Sequence, residues 1–312
     1  MMFWANCHCQ LNNYLNLIIF MKNILPVIAI FTTVFVWGSS FPVMSFILET
    51  SDPMILAAGR FVFASSISIV WCVYKLHKQN INFKHLLRFF VAGFIGIFLY
   101  NIFLNYGQQT VSAGASSFIV NCNPLFAALI GFFILKQKVT IFHWVGLLIC
   151  LIGVAIISID QEGGFKLGSG ATLILFAAIL TASYFHILKP LVTIYGSLTS
   201  FAFTIVFGTL PMVFWFPETY NFIMISDNEV KLAFLWLALF PTALGYLTWT
   251  FSVGYYGANK ASLSLYLIPP ISLIINYLWY DKEPSLQTVL GGLIIITSLA
   301  LTFYFQNKNT IS

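Results

Sequence analysis

The sequence predicts an all-α polytopic membrane protein in which ten transmembrane helices form two inverted five-helix repeats around a central cavity. Three observations predict it. Apolar runs long enough to cross a bilayer, about 20 residues each, recur along the whole 312-residue chain. Only 7% of the residues are charged and 60% are hydrophobic, against about 25% charged in an average soluble domain. Prolines interrupt two of the runs near their midpoints, one in each half of the chain.

In rounded limits the spans are Ile24 to Leu48, Pro53 to Tyr74, Leu86 to Tyr106, Ala113 to Leu135, Ile141 to Ser158, Gly170 to Lys189, Ser197 to Phe216, Leu232 to Ser252, Asn259 to Trp279 and Gln287 to Phe305. The short loops between them leave no room for a soluble domain, so any chemistry lies among the helices. Residues 21–160 are expected to form the first repeat and residues 161–312 the second. The first twenty residues, "MMFWANCHCQLNNYLNLIIF", carry no Lys or Arg and no small-residue cleavage site, which argues against a signal peptide. "MKNILPVIAIF" reads as a natural start at Met21, so residues 1–20 are expected to be a dispensable extension. Within that extension Cys7, His8 and Cys9 are adjacent, with side chains that point apart, a poor geometry for a metal. No metal and no cofactor is expected. Cys72, Cys122 and Cys150, inside spans, read as small apolar packing residues.

The charges orient the crossings through the excess of Lys and Arg on cytoplasmic loops. With the N-terminus in the cytoplasm, Lys22, Lys75, Lys78, Lys84, Arg88, Lys136, Lys138, Lys189, Lys260 and Lys308 fall inside; Lys166, Lys231 and Lys282 fall outside. The acids Glu49, Asp52, Asp160, Glu162, Glu218, Asp227, Glu229, Asp281 and Glu283 all fall outside. Both termini are therefore expected on the cytoplasmic face of the cell's inner membrane. The loop "KLHKQNINFKHLLR" is the most basic stretch and suits anionic lipid head groups; its spread-out charges do not make a nucleic-acid site.

Five is odd, so two copies of a five-helix unit would enter the membrane from opposite sides. A shift of 146 residues pairs Ala115 with Ala261, Ser116 with Ser262, Pro124 with Pro270, Lys136 with Lys282 and Gly146 with Gly292. "VNCNPLF" in span four and "LYLIPPIS" in span nine then become counterparts, broken at Pro124 and at Pro269 and Pro270. A proline inside a helix costs about 3 kcal/mol. Such breaks are tolerated where freed carbonyls face a cavity, and matched breaks in inverted halves point to a transporter's central site. The alternative is a kink whose backbone is re-satisfied by neighbouring Ser and Asn.

Polar residues recur on helical faces. Span three offers Asn101, Asn105 and Gln108, span eight Thr242, Tyr246 and Trp249, and span nine Ser262, Tyr266, Pro269 and Asn276. Trp37 and Ser40 share a face of span one ahead of Pro42; span four carries Asn121 and Asn123; span six carries Tyr184 and His186. Interhelical hydrogen bonding accounts for any one of these. Together they suggest a lined cavity whose candidate binding residues are Trp37, Ser40, Asn101, Asn105, Asn121, Asn123, Tyr184, His186, Tyr246, Trp249 and Tyr266.

Arg60 is the charge well inside a span, about 10 Å below the outer end of its helix at about 1.5 Å per residue. A central arginine costs about 2.5 to 3.5 kcal/mol and needs a partner. Glu49, Asp52 or backbone carbonyls could supply one, or the residue attracts an anionic group of a substrate. No Asp or Glu lies inside a span, so the carboxylate that often relays protons in pumps is missing. His186 titrates near neutral pH when unperturbed, and reads either as a core hydrogen-bonder or as a proton-coupling group.

"FVWGSSFPV" in span one, "NCNPLFAALIGFFILKQKVTIFHWVGLLICLIGVAIIS" and "SLYLIPPISLIINYLWYDKEPSLQTVLGGLIII" resemble the EamA-type permeases of the drug/metabolite transporter superfamily, over residues 24 to 306. The resemblance implies ten helices with both ends cytoplasmic and a cavity lined mainly by spans one, three, four, six, eight and nine. It also implies transport of amino acids or other small metabolites, often outward. Lys136-Gln137 stands where that family usually has Gly-Glu, and Ser183-Tyr184 where a tryptophan often opens the span-six motif.

The expected function is a secondary transporter, an exporter or exchanger of a small polar metabolite such as an amino acid. Uptake or exchange of a nucleotide-like metabolite of the S-adenosylmethionine type is the alternative. A membrane-embedded enzyme is a distant one, because the acids are scattered over loops and His186 stands alone. A channel would want a repeated selectivity element, and none is present. The expected partners are a small-molecule substrate and the lipid bilayer, with no nucleic acid, in a monomer or homodimer.

Overall fold

The computed structural model describes residues 2–79, 81–136, 141–159, 161, 164, 166, 168–257 and 261–311, with side chains except at 2–23, 134, 135, 263, 303 and 305–311. The expectations for Cys7, His8, Cys9, Met21, Lys22 and Lys308 fall outside the described side chains, and those for Gln137, Lys138, Asp160, Glu162 and Lys260 outside the described residues. Among the described residues every regular element is helical. In chain order they are α1 (Met2–Leu48), α2 (Pro53–Lys78), α3 (Phe83–Gln108), α4a (Ala113–Val120), α4b (Asn123–Leu135) and α5 (Ile141–Ser158). Then come α6 (Gly170–Tyr195), α7 (Ser197–Ile225), α8 (Asn228–Tyr256), α9a (Leu263–Leu267), α9b (Ile268–Tyr280) and α10 (Leu286–Ile311). Eight of the described segments, from Ile24–Leu48 to Asn228–Tyr256, are long and apolar enough to cross a bilayer, and Leu286–Thr302 is a shorter apolar helix.

Local chemistry sets the helix starts. Asp52 accepts from the Met54 N–H at 2.7 Å, with Pro53 in the first turn where its missing N–H costs nothing. Asn82 caps α3 through the Lys84 N–H, and Ser112 caps α4a through the Ala115 N–H. The sides that face away from the bundle are apolar: Val70 is 70% exposed, Phe133 66% and Leu148 62%. A soluble protein rarely leaves such patches bare, whereas lipid covers them without cost.

Several helices depart from α geometry. A π-helical stretch, Phe94–Leu99, lies within α3, and another, Ala238–Gly245, lies within α8 around Pro241. A 3-10 turn, Leu210–Trp215, follows Thr209 in α7. The fourth helix breaks at Asn121 and Cys122, and α9a is itself a 3-10 turn leading into Pro269 and Pro270. Pro42, by contrast, is absorbed within α1, which runs on to Leu48.

The two broken helices match at a spacing of 145, one residue less than the sequence alignment suggests. Asn123 and Ile268 open their second pieces, and Lys136 and Asp281 end them with left-handed φ values of 51° and 50°. Pro269 therefore takes the place of Pro124, and Pro270 sits one position deeper. The same shift exchanges contacts between α5 and α10: an added Cβ on Gly153 would lie 2.8 Å from the Gly291 carbonyl, and Ser298 donates to the Gly146 carbonyl at 2.6 Å. Packing repeats at larger scale too, α1 against α8 and α9b as α6 is against α3 and α4b.

Loops group at two ends. The Lys282 ammonium pairs with Glu49, and the Ser112 N–H donates to Gln161 at 2.8 Å, which gathers the α1–α2, α3–α4a, α5–α6 and α9b–α10 connections. At the other end His85 Nδ1 meets Tyr195 Oη at 2.6 Å, joining the start of α3 to the end of α6.

Close crossings use small residues, as membrane helices do where backbones approach. At Gly93 an added Cβ would lie 2.5 Å from the Thr204 carbonyl and 2.6 Å from the Gly208 nitrogen, atoms that no rotamer can move. Gly93→Ala is expected to cost about 1 to 3 kcal/mol through overpacking. Gly254→Ala, which meets the movable side chains of Val192 and Ser197 at 3.0 and 3.1 Å, should cost less. Thermal unfolding of both variants in detergent checks the order.

Candidate functional site

Four of the five irregular segments converge on one chamber. From α1 come Trp37, Ser40, Phe41 and Met44, and from α3 Gly96, Tyr100 and Leu104. The two broken helices contribute Val120, Asn121 and Asn123 on one side and Leu265 and Ile268 on the other. Thr181, Tyr184 and Phe185 of α6, Tyr246 of α8 and Arg60 of α2 complete the wall. Val120 and Leu265 each lie four residues before the matched prolines Pro124 and Pro269, which have no N–H to offer their carbonyls; the Leu265 carbonyl accepts instead from the Ile268 N–H in the 3-10 turn. The space takes the centres of water-sized spheres over about 50 Å³. One water needs about 10 to 15 Å³, so in this conformation the chamber has room for a few waters and for nothing larger.

Six of the seventeen residues in the wall are aromatic. Trp37 packs against Tyr246 and Trp249 with ring centroids 5.4 Å apart in both pairs, and Phe185 lies 4.9 Å from Trp249. Trp37 Nε1 donates to the Pro241 carbonyl at 3.0 Å, tying α1 to the π-helical stretch of α8. Gly96 carries no side chain where a Cβ would stand 2.2 Å from the Tyr184 ring. Polar capacity is left over: Asn123 Oδ1 is buried without a hydrogen-bond partner, whereas the Tyr184 hydroxyl lies beside those of Thr204 and Thr250. Asn121 Nδ2 donates to the Ser117 carbonyl at 2.7 Å, and the Ser40 hydroxyl to that of Trp37 at 2.6 Å.

Arg60 is 4% exposed. Its Nη1 donates to Asn101 Oδ1 at 3.2 Å and to Met44 Sδ at 2.7 Å, and Nε has no partner. Neither acid near it in sequence reaches it. Asp52 is spent on the α2 cap, and Glu49 on Lys282 at the end of the bundle.

Of the candidate binding residues, Trp37, Ser40, Asn121, Asn123, Tyr184 and Tyr246 are brought together at the chamber, and Arg60 joins them. Five are placed elsewhere. Asn101 stands behind Arg60, its Nδ2 donating to the Ile97 carbonyl at 2.7 Å; Asn105 Nδ2 donates to the Pro53 carbonyl at 3.1 Å, a strut between α3 and α2. Gln108, on the same face, donates to the Phe41 carbonyl at 2.7 Å. Trp249 is fully buried behind the Trp37 and Phe185 rings. His186 Nε2 bonds the Ala127 carbonyl at 2.8 Å, outside the chamber. Tyr266 is half-buried beside the thiols of Cys122 and Cys150, which lie 2.7 Å apart.

Phe41, Tyr100, Thr181 and Phe185 were the polar and aromatic residues of the wall left unread. Thr181 and Phe185 stand three residues before and one after Tyr184, a helical neighbourhood that could have found them. Tyr100 could not be found that way, because the π-helical stretch before it re-phases α3.

The sequence model described as the EamA-like transporter family matches residues 24–159 and again 168–304. A Bacillus subtilis protein described as an uncharacterized transporter, YdfC, is 32% identical over 272 residues, covering 87% of this chain and 89% of its own. A Streptantibioticus cattleyicolor protein described as a probable terminal-alkyne amino-acid exporter is 25% identical over 273 residues, 88% of this chain and 91% of its own. One crystal structure superposes with a TM-score of 0.60 at 16% identity, over 91% of this chain and 98% of that one; that likeness speaks to the fold alone.

Trp249 fills the space behind the aromatic wall, so Trp249→Ala is expected to lower stability by about 3 to 5 kcal/mol. Tyr266→Phe, which removes only a hydroxyl from a half-buried ring, should shift it by less than about 1.5 kcal/mol. Denaturation followed by tryptophan-independent probes, such as thiol exposure, measures both.

Proposed function

Because the chain belongs to the EamA-like transporter family, we propose that it is a secondary transporter, an exporter or exchanger, that carries a small polar metabolite such as an amino acid by alternating access. In this reading ten crossings form two inverted five-helix repeats. The exchange of α5 and α10 contacts under a shift of 145 residues supports a two-fold relation between the halves. The odd number of helices per half then makes that relation an inversion. Lys and Arg on the short loops at the His85–Tyr195 end favour a cytoplasmic position for that end, and with it both termini, in the inner membrane.

One observation carries the functional reading: the matched helix breaks meet at the same chamber, with Val120 and Leu265 both in its wall. Backbone freed from helical pairing is tolerated inside a bilayer where it lines a water-filled cavity, and inverted transporters place substrate at such breaks. Trp37, Tyr184 and Tyr246 supply apolar, ring-bearing surface, while Ser40, Asn121 and Asn123 supply polar groups. That mixture suits a solute with a polar head and an apolar side. The exporter named among the relatives, an amino-acid exporter by its description, agrees with that cargo and with outward movement. His186 bonds a backbone carbonyl outside the chamber and no Asp or Glu lies inside a span, so exchange or facilitated flux is the favoured energetics. The carrier needs no cofactor and acts as a monomer or homodimer.

Reconstitution tests this. Proteoliposomes holding the wild-type protein are expected to take up label from a mixture of radiolabelled L-amino acids above protein-free liposomes. Asn123→Ala and Trp37→Ala should each slow uptake about tenfold, as loss of one contact worth about 1.4 kcal/mol would. Tyr266→Ala should stay within about twofold of wild type, since less than half a kcal/mol separates such rates. Unchanged rates in the first two variants would remove the chamber from the transport path.

A further inference from the structure

Arg60 is the one group in the chamber whose charge the protein leaves unanswered. Guanidinium keeps its proton under any condition the protein meets, so the side chain is a permanent cation. Around it stand the Met44 thioether, a weak acceptor, and the neutral amide oxygen of Asn101. Tyr100 and Tyr246 are the titratable side chains within electrostatic reach. Phe61 offers a ring face 5.5 Å away. No carboxylate among the described residues pairs with it, because Asp52 and Glu49 are committed elsewhere. Buried charges in proteins are ordinarily paired, and intramembrane arginines ordinarily face a partner or a water-filled path. This one is more than nine-tenths buried, keeps Nε unpartnered and forms part of the chamber wall.

We propose that Arg60 is the docking point for a carboxylate of the transported solute, which serves as the missing counter-ion while bound. The assignment rests on the transport reading and names the substrate class of the same chamber. The guanidinium fork matches the two oxygens of a carboxylate. A second basic side chain, which a dianionic phosphate would call for, is not among the residues that line the wall. Asn123 Oδ1, buried, unpartnered and in the same wall, is an acceptor for a donor elsewhere on the solute. A cationic Arg60 and an acceptor Asn123 in one chamber fit a zwitterion. Asn101 and Met44 hold the cation in place, so those two position Arg60 and do not replace its partner.

The test compares acids with their neutral counterparts in proteoliposomes of the full chain. The probes are radiolabelled L-leucine, L-phenylalanine and L-threonine, their carboxamides, phosphoethanolamine as an anion without a carboxylate, and adenosine as a solute with neither. Wild-type protein is expected to move at least one amino acid at least about tenfold faster than its carboxamide, the scale of a charge-assisted contact. Arg60→Met should bring that acid-to-amide ratio to about one. Arg60→Lys, which keeps the charge and loses the fork, should retain a ratio between the two and serves if Arg60→Met fails to fold. A structural role alone would lower both rates and leave the ratio in place, which would overturn the assignment. Faster movement of phosphoethanolamine than of any carboxylate overturns it as well. Transport of adenosine or of carboxamides with no preference for acids refutes the carboxylate site and leaves the carrier intact. Wild-type protein that moves none of the probes removes the carrier reading and this one with it.

Discussion

A backbone group without a hydrogen-bond partner cannot be left against lipid, where each such group costs several kcal/mol. That constraint decides where this chain can be irregular. The π-helical stretch of α3 brings Gly96 to the chamber; that of α8 ends at Gly245, next to Tyr246; the break of the fourth helix exposes Asn121; the 3-10 turn of α9a presents Leu265. Four departures from α geometry thus border one small space. The 3-10 turn at Leu210–Trp215 is the exception, and Pro211 within it accounts for its geometry. Elsewhere the helices run regularly, because the surface they present is for lipid.

The constraint also divides labour among the helices. None of the residues lining the chamber comes from α5, α7 or α10. Those segments instead supply close crossings, Gly153 against Gly291 and Gly208 against Gly93, whose backbone-to-backbone contact leaves little room for adjustment. The chamber helices are held differently, by long polar side chains that span between elements: Trp37 to Pro241, Gln108 to Phe41, Asn105 to Pro53 and His186 to Ala127. Each of those tethers is worth no more than about 1 kcal/mol in a membrane, so relative movement of chamber helices against a stiffer frame is energetically accessible. Alternating access asks for that combination.

The architecture was legible because its causes are local. Apolar runs of spanning length, mid-run prolines and the separation of Lys and Arg from Asp and Glu can all be read along the chain, and the family match over residues 24–159 and 168–304 agrees with the resemblance drawn from its motifs. The site was legible in part. Trp37, Asn121, Asn123, Tyr184 and Tyr246 stood out because polar and large aromatic residues are conspicuous on an apolar background. Asn101 and Asn105 misled for a geometric reason. The face of α3 that meets the chamber is Gly96, Tyr100 and Leu104, the row one residue earlier, which lies about 100° around the helix. Helical spacing identifies rows of neighbours, but not which row meets which partner, and a π-helical stretch re-phases everything after it. The repeat register slipped by one residue for a similar reason: Pro269 and Pro270 are adjacent, and only the left-handed residues Lys136 and Asp281 distinguish the pairings. The partner of Arg60 was undecidable from sequence, since Glu49 and Asp52 are near it along the chain and turned from it in space.

Water access to the matched breaks is the most direct measure of the central claim. Single cysteines placed at Val120 and Leu265, with Cys122 and Cys150 replaced by serine or alanine in a background that still folds, can be exposed in intact membranes to a membrane-impermeant methanethiosulfonate reagent. Cysteines at the lipid-facing Leu148 and Phe133 serve as references. The account predicts that both break positions react and that neither reference does. Reaction at the references with silence at both breaks would place the breaks against lipid and contradict it.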